Sequence, residues 1–230
     1  MTERVAVSVI VPVLNEAATI NELITHVRRV SDIGDVELIV SDGDPQGGTL
    51  RAITDTGVIG VFSRRGRGAQ MNAGAAVASG DILLFLHADT FLPAGAFGKI
   101  NAAMKDGRYA GGAFDLGIDS QRRALKIVEG AASLRSRVTR IPYGDQAIFM
   151  RRDIFNAMGG FKDIPIMEDV DLMRRLKRSG QNIVIIPRKV RTSPRRWEAE
   201  GVIYCTLRNW ALVTFYMLGI RPDKLVRFYR

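Results

Sequence analysis

A chain of 230 residues and 25.4 kDa is long enough for one α/β domain with a large core and short for two ordinary domains. Its 47% hydrophobic and 25% charged content excludes a disordered chain, and the single cysteine, Cys205, excludes a disulfide framework. The formal charge of +9 is unevenly placed: residues 1–115 carry −3 and residues 116–230 carry +12. A basic half of that size suits nucleic acid, anionic lipid or a phosphorylated substrate, and composition alone does not choose. Met1-Thr2-Glu3-Arg4 runs directly into a β-like stretch with no basic-then-apolar leader, so a cytoplasmic protein is expected.

The β-branched run Val5–Val13 (VAVSVIVPV) predicts a buried strand that opens at Pro12 into a loop, Pro12–Glu16. Ile20, Leu23, Ile24 and Val27 recur at helical spacing, predicting a helix over about Ala18–Val30. Further strands are expected at Glu37–Ser41, Val58–Phe62 and Ile82–Leu86, with an Ala-rich helix at Ala69–Ala78. This β-α-β-α-β-α-β order specifies a parallel sheet covered on both faces, with ligands gathered at the C-terminal strand ends. Downstream come an expected strand at Ala110–Leu116, a basic amphipathic helix at about Arg122–Thr139 and an apolar segment at Ala147–Met150. A helix at about Glu168–Arg178 and a strand at Asn182–Ile186 follow. No Pro/Gly/Ser-rich spacer marks the charge switch near residue 116, so the two charge regions read as halves of one domain, nucleotide half first and acceptor half second.

Four strand-end clusters carry the chemistry: Pro12–Glu16 (PVLNE), Ser41–Thr49 (SDGDPQGGT), Gly66–Gly74 (GRGAQMNAG) and His87–Thr90 (HADT). Brought to one edge, they supply carboxylates for base and ribose, Gly-rich backbone for close approach, arginines for phosphate and a metal-binding carboxylate. No P-loop is present and no GxGxxG directly follows a strand, which removes the usual support for an ATP hydrolase or a dinucleotide enzyme.

In order along the chain, Ser8–Glu16, Asp42-Gly43, Gln70–Gly80, Leu84–Thr90, Gly144–Phe161 and Met167–Gly180 resemble the motifs of the inverting family-2 glycosyltransferases, whose nucleotide-sugar fold is called GT-A. The resemblance covers about residues 5–197. It implies a Rossmann-like, mostly parallel sheet flanked by helices, with C-terminal amphipathic helices beyond it. It further implies a transferase domain over 1–200 and an apolar, basic extension over 201–230. It places Pro12, Asn15, Glu16, Asp42, Arg67, Gln70, Asn72 and Ala88 on the nucleotide sugar, and Gly144, Asp145 and Gln146 on the acceptor. Asp89 is the expected ligand of a divalent ion, Mn²⁺ or Mg²⁺. The family's Asp-x-Asp is His87-x-Asp89 here, and His87 either joins the metal, favouring Mn²⁺, or caps the strand end or bonds a ribose hydroxyl. Asp42 either contacts base or ribose or forms a turn.

A transferase of this kind deprotonates a hydroxyl as the new bond forms, which calls for a positioned carboxylate. Glu168-Asp169 opens a helical pattern where the helix dipole favours acids. The resemblance assigns the base to Asp169, with Glu168 orienting it or the acceptor; the alternative is simple capping. Ser193–Trp197 (SPRRW) resembles the family's Gln-x-x-Arg-Trp motif with Ser193 in place of Gln, which puts Arg196 at the diphosphate and Trp197 beside the acceptor; the alternative is a solvated basic loop with a buried tryptophan.

Gly201–Ile220 contains one charged residue, Arg208. A central Arg costs about 2.5–3.5 kcal/mol on insertion, which makes spanning a bilayer unfavourable. Two arrangements remain: an interfacial helix with Trp210, Phe215 and Tyr216 at headgroup depth above the basic Arg221, Lys224, Arg227 and Arg230, or a helix buried in the domain or a dimer interface. The sequence therefore predicts an inverting, metal-dependent glycosyltransferase using a nucleotide-diphosphate sugar, UDP-sugar first, on a lipid-linked or phosphorylated acceptor. The expected cellular setting is cytoplasmic, with peripheral membrane contact or a homodimer. The rival readings are a nucleotidyltransferase acting on a sugar phosphate and a basic membrane- or RNA-binding module; no recognised nucleic-acid motif supports the RNA version.

Overall fold

The computed structural model describes residues 7–31 and 36–229. In chain order the elements are β1 (Val7–Val13), α1 (Ile20–Val30), β2 (Glu37–Asp42), α2 (Gly48–Ala52), β3 (Val58–Phe62), α3 (Arg67–Val77), β4 (Ile82–Phe85), β5 (Thr90–Phe91), α4 (Ala96–Lys105) and β6 (Tyr109–Asp115). The second half adds α5 (Arg123–Thr139), β7 (Ile148–Arg151), α6 (Arg152–Ala157), α7 (Glu168–Arg178), β8 (Asn182–Lys189), β9 (Arg191–Thr192), α8 (Arg195–Glu200), α9 (Val202–Met217) and α10 (Pro222–Leu225). The main sheet has seven strands in the order β3-β2-β1-β4-β7-β6-β8, and β5 pairs with β9 in a small second sheet.

Strand alternation builds two cores. Val7, Val9, Val11 and Val13 of β1 face one side, where α1 contributes Leu23, Ile24 and Val27 and α4 contributes Phe97 and Ile100. Ile10 faces the other side, with Met71 and Ala75 of α3, Phe155 of α6 and Leu172, Met173 and Leu176 of α7. Because both faces are covered, β1 is buried along its whole length, as a continuous apolar run requires. Gly74 lets α3 lie close to the sheet: a Cβ there would stand 2.5 Å from Ile10 Cγ2.

The sheet is mostly parallel, as expected, and one strand runs against the others. β1 pairs in parallel with β2 and β4, but β7 runs antiparallel to both β4 and β6. Helix α5 and then the 3-10 turn Gly144–Gln146 connect β6 to β7 and return the chain to the sheet antiparallel to β6. The strand expected from Val5 is described from Val7; Val5 and Ala6 lie outside the described residues. Helices α4, α6 and α8 are additions to the sequence reading. The tail is also better packed than an extension: α9 and α10 place Leu212 and Leu225 in a core with Ile166, Met167 and Val170. Tyr216 turns inward and donates to Asp171 at 3.0 Å, which corrects its expected place at headgroup depth. Arg230 lies outside the described residues.

Candidate active site

The C-terminal ends of β1, β2 and β4 and the start of α7 meet around two cavities. The larger, about 490 Å³, is lined by Arg67, His87, Asp89, Asp145, Asp169 and Arg196, and further out by Tyr143, Val170, Trp197, Asn209, Val213 and Tyr229. The smaller, about 430 Å³, lies between Asn15, Gly43, Asp44, Ser63, Arg64 and Arg65. Backbone conformation marks the same place. Four non-glycine residues among those described are left-handed, and two of them, Asn15 and Met167, line these cavities. Such conformations cost about 1–3 kcal/mol and persist where surrounding structure imposes them.

Asp169 is held on two sides. Its Oδ2 accepts the Gly144 N–H at 2.5 Å and its Oδ1 accepts the Val170 N–H at 2.7 Å. Glycine is required at 144 because a Cβ would lie 2.8 Å from His87 Nε2 and 3.2 Å from Asp169 Oδ2, so the loop backbone passes between them. Behind Asp169, Glu168 is 2% exposed and meets Arg67 Nε at 2.8 Å. Burial raises the Glu168 carboxyl, and the Arg67 cation opposes that rise. Burial also pushes the His87 imidazole down to about 4, helped by Arg67, so the ring is neutral near pH 7.

Asp145 reaches the same cavity and is pushed up to about 6, chiefly by burial; the Arg135 cation opposes this, while Asp169 and Asp89 add to it. A carboxyl raised on folding contributes stability that is fully present below its unfolded value near 4 and is lost as pH rises through about 6. Asp145→Asn should therefore be more stable than the parent at pH 7.5 by about 1–2 kcal/mol, a figure reduced for the partial exposure of the group, and equal to it near pH 4. Urea midpoints at the two pH values check this; a pH-independent difference would contradict it.

Asp89 is one third exposed and is paired by Arg195 at 3.3 Å, whose guanidinium also lies 3.9 Å from Glu16. The described residues contain no group of three or more His, Cys, Asp or Glu side chains placed to hold a metal ion. Asp89, with the neutral His87 ring lining the same cavity, is the carboxylate here that could hold a divalent ion whose other ligands are substrate oxygens and water.

Several residues expected at the ligand are engaged by the scaffold. Pro12 is buried within β1. Asp42 is fully buried and accepts the N–H groups of Asp44, Thr49 and Leu50, so it builds the turn, and Asp44 is the carboxylate that lines the smaller cavity. Gln70 Nε2 donates to the carbonyls of Val13 and Ser41, tying two strand ends together. Asn72 makes a reciprocal pair with the Phe161 backbone. Gln146 is fully buried on Ser136, Phe114 and Tyr143. Ala88 sits half-buried between His87 and Asp89, against the α1-side core.

Other residues enter the site only through the fold. Arg135 of α5 lies over the Tyr143 ring, 3.2 Å from its centroid, and burial draws its guanidinium down to about 10. Tyr229, near the end of the chain, accepts from Arg196 and lies 4.3 Å beneath its guanidinium. Trp197 packs with Leu125, Val128 and Val202. Trp197 Nε1 and Asn209 Oδ1 are buried without a hydrogen-bond partner among the described residues. Nothing local in the sequence marks Arg135, Asn209 or Tyr229, because long-range packing alone brings them here.

Residues 8–161 match the family described as Glycosyl transferase family 2. The matched span ends before Glu168 and Asp169. No curated protein shows significant similarity to the chain. Among solved structures, the mannosyltransferase PcManGT from Pyrobaculum calidifontis, in complex with GDP-Man and Mn²⁺, superposes with a TM-score of 0.68 at 21% identity, over 96% of this chain and 67% of that one. S. aureus TarS 1–349 gives 0.64 at 15% identity, over 97% and 69% of the two chains. Its complex with UDP-GlcNAc gives 0.64 at 16%, over 82% and 58%. These likenesses show the fold, a GT-A-like sheet flanked by helices. A family match across most of the chain, carried on that fold, makes this protein a member of glycosyl transferase family 2 and hence a glycosyltransferase.

Proposed function

We propose that the larger cavity transfers a sugar from a nucleoside-diphosphate sugar to an acceptor hydroxyl in one displacement, inverting the configuration at the sugar carbon. The observation that carries this reading is Asp169, a carboxylate pinned by two backbone N–H groups and facing a cavity that also holds Asp89, His87, Arg67 and Arg196. The attacking hydroxyl approaches Asp169, which takes its proton as the new bond forms. The leaving diphosphate departs on the opposite face, and Arg196 and Arg67 meet its charge. Asp89, with His87 beside it, would hold Mn²⁺ or Mg²⁺; a bound ion supplies further charge neutralisation to the diphosphate.

The nucleoside fits the smaller cavity, where Asp44 and Asn15 offer polar contacts and Arg64 and Arg65 offer positive charge. We favour a UDP-sugar. The acceptor enters beside Trp197, Asn209 and Val213, where the unpartnered Trp197 Nε1 and Asn209 Oδ1 supply one donor and one acceptor to a polar group on an otherwise apolar molecule. That lining suits a lipid-linked acceptor.

Thermal shifts with nucleotide sugars, with and without Mn²⁺, test the assignment, since a ligand of the folded state raises apparent stability. The parent chain should be stabilised by a UDP-sugar plus Mn²⁺, and Asp89→Ala should lose the metal-dependent part. An equal metal response in both chains would remove Asp89 from the metal site. Tyr229→Phe should weaken nucleoside-diphosphate binding by about 3–10-fold, the loss expected when the hydroxyl no longer orders the Arg196 guanidinium. Unchanged affinity by calorimetry would show that the hydroxyl does not prepare it.

A further inference from the structure

Helix α9 has two unlike faces. Inward, Cys205 and Leu212 are buried, Asn209 and Val213 line the cavity, and Arg208 is held by Glu200 at 2.5 Å with its side chain 8% exposed. Outward, Ile203, Tyr204, Leu207, Trp210, Phe215 and Leu218 stand in solvent, with Ile203 at 76% and Leu218 at 75% exposure. The helix's one charged residue is thus turned away from the outer face. A helix on an ordinary soluble surface carries charges on its outer side, and a contiguous exposed apolar patch marks an interaction surface.

The neighbouring α5 repeats the feature. Ile127, Leu134 and Val138 share one helical stripe and are exposed, while Val128 and Ala132 of the same helix pack with Trp197 and Val202 beside the start of α9. Exposed basic residues accompany both helices: Arg122, Arg123 and Arg140 at the ends of α5, and Arg221, Lys224 and Arg227 just after α9.

We propose that the outer face of α9, extended by the stripe on α5, docks the protein onto the surface of a bilayer containing anionic lipid. Length excludes crossing: sixteen residues of helix reach about 24 Å against a hydrocarbon core of about 30 Å. No described helix is long and apolar enough to cross a membrane. The helix therefore lies in the interface, with Trp210 and Tyr204 at headgroup depth. Charge selects the occupant. A second copy meeting this face about a two-fold axis would bring the same basic rims together, within a half of the chain that carries +12. Anionic headgroups complement those rims.

The inner face of α9 lines the cavity, so docking sets the acceptor side against the bilayer; that consequence, unlike the docking itself, rests on the glycosyltransferase reading. The test is flotation of the full chain with phosphatidylcholine vesicles, with and without phosphatidylglycerol. Binding is expected with phosphatidylglycerol, weakening as salt rises and accompanied by a blue shift of Trp210 fluorescence. The double variant Leu207→Glu/Leu218→Glu alters only exposed positions and should keep its circular dichroism and melting temperature while losing at least about tenfold in vesicle affinity. Failure to float, or equal flotation of the double variant, overturns the proposal. A dimer by light scattering that the double variant dissociates, without vesicle binding, overturns it in favour of a second copy. Asp169→Asn should float like the parent, so failed docking and failed catalysis are separately visible.

Discussion

Asp169→Asn is expected to lower the transfer rate by about 10²–10⁴-fold while leaving nucleotide affinity within about twofold. The amide keeps the size of the side chain and still accepts the Gly144 N–H through its oxygen. It has no basic oxygen pair to take the proton of the attacking hydroxyl. With Asp169 on the acceptor and Arg196 on the diphosphate, as proposed, the loss should fall on kcat, with the donor KM nearly unchanged. Steady-state kinetics separate the two. A large rise in donor KM at constant kcat would make Asp169 a binding residue and remove the base assignment.

Arg67→Met is the second large effect, and it concerns stability as well as activity. Glu168 is almost fully buried, and Arg67 is the cation whose nitrogen meets it. Removing one partner of a buried pair costs about 3–5 kcal/mol because the remaining charge is left uncompensated. The Arg67 side chain is 40% exposed, which places the expected loss at the lower end, about 3 kcal/mol. Arg67→Met/Glu168→Gln should recover most of that stability without recovering activity, since the guanidinium proposed to meet the diphosphate is still missing. Urea denaturation of the two variants decides the matter. If the double variant is no more stable than Arg67→Met, burial of Glu168 is not the source of the loss.

Local signals explain what could be read along the chain. The strands at Val58–Phe62 and the helix at Glu168–Arg178 appear where apolar spacing and the acidic helix start place them. Asp89, His87, Gly144, Asp145, Asp169, Arg196 and Trp197 all reach one cavity, because their motifs sit at strand ends or helix starts whose direction is fixed by the sheet. The motifs around Asp42, Gln70 and Asn72 behave differently. Their side chains satisfy backbone groups that the turns leave unpaired, a role with the same residue types as ligand binding and therefore the same appearance in sequence. The antiparallel β7 was hidden for a related reason: an apolar segment as short as Ala147–Met150 carries no sign of its direction. Arg135 and Tyr229 were invisible because their roles depend on α5 and the chain end folding back on α7 and α8.

A cavity that moves a glycosyl group with Asp169 as the base leaves its mark in the products of one reaction. Parent protein and Asp169→Asn, each incubated with the nucleotide sugar that stabilises the parent and with Mn²⁺, should differ in release of nucleoside diphosphate. The parent should form it together with a product of inverted configuration at the sugar carbon, resolved by NMR, and the variant should form almost none. Release of pyrophosphate, retention of configuration, or equal nucleoside diphosphate from both proteins would contradict that reading.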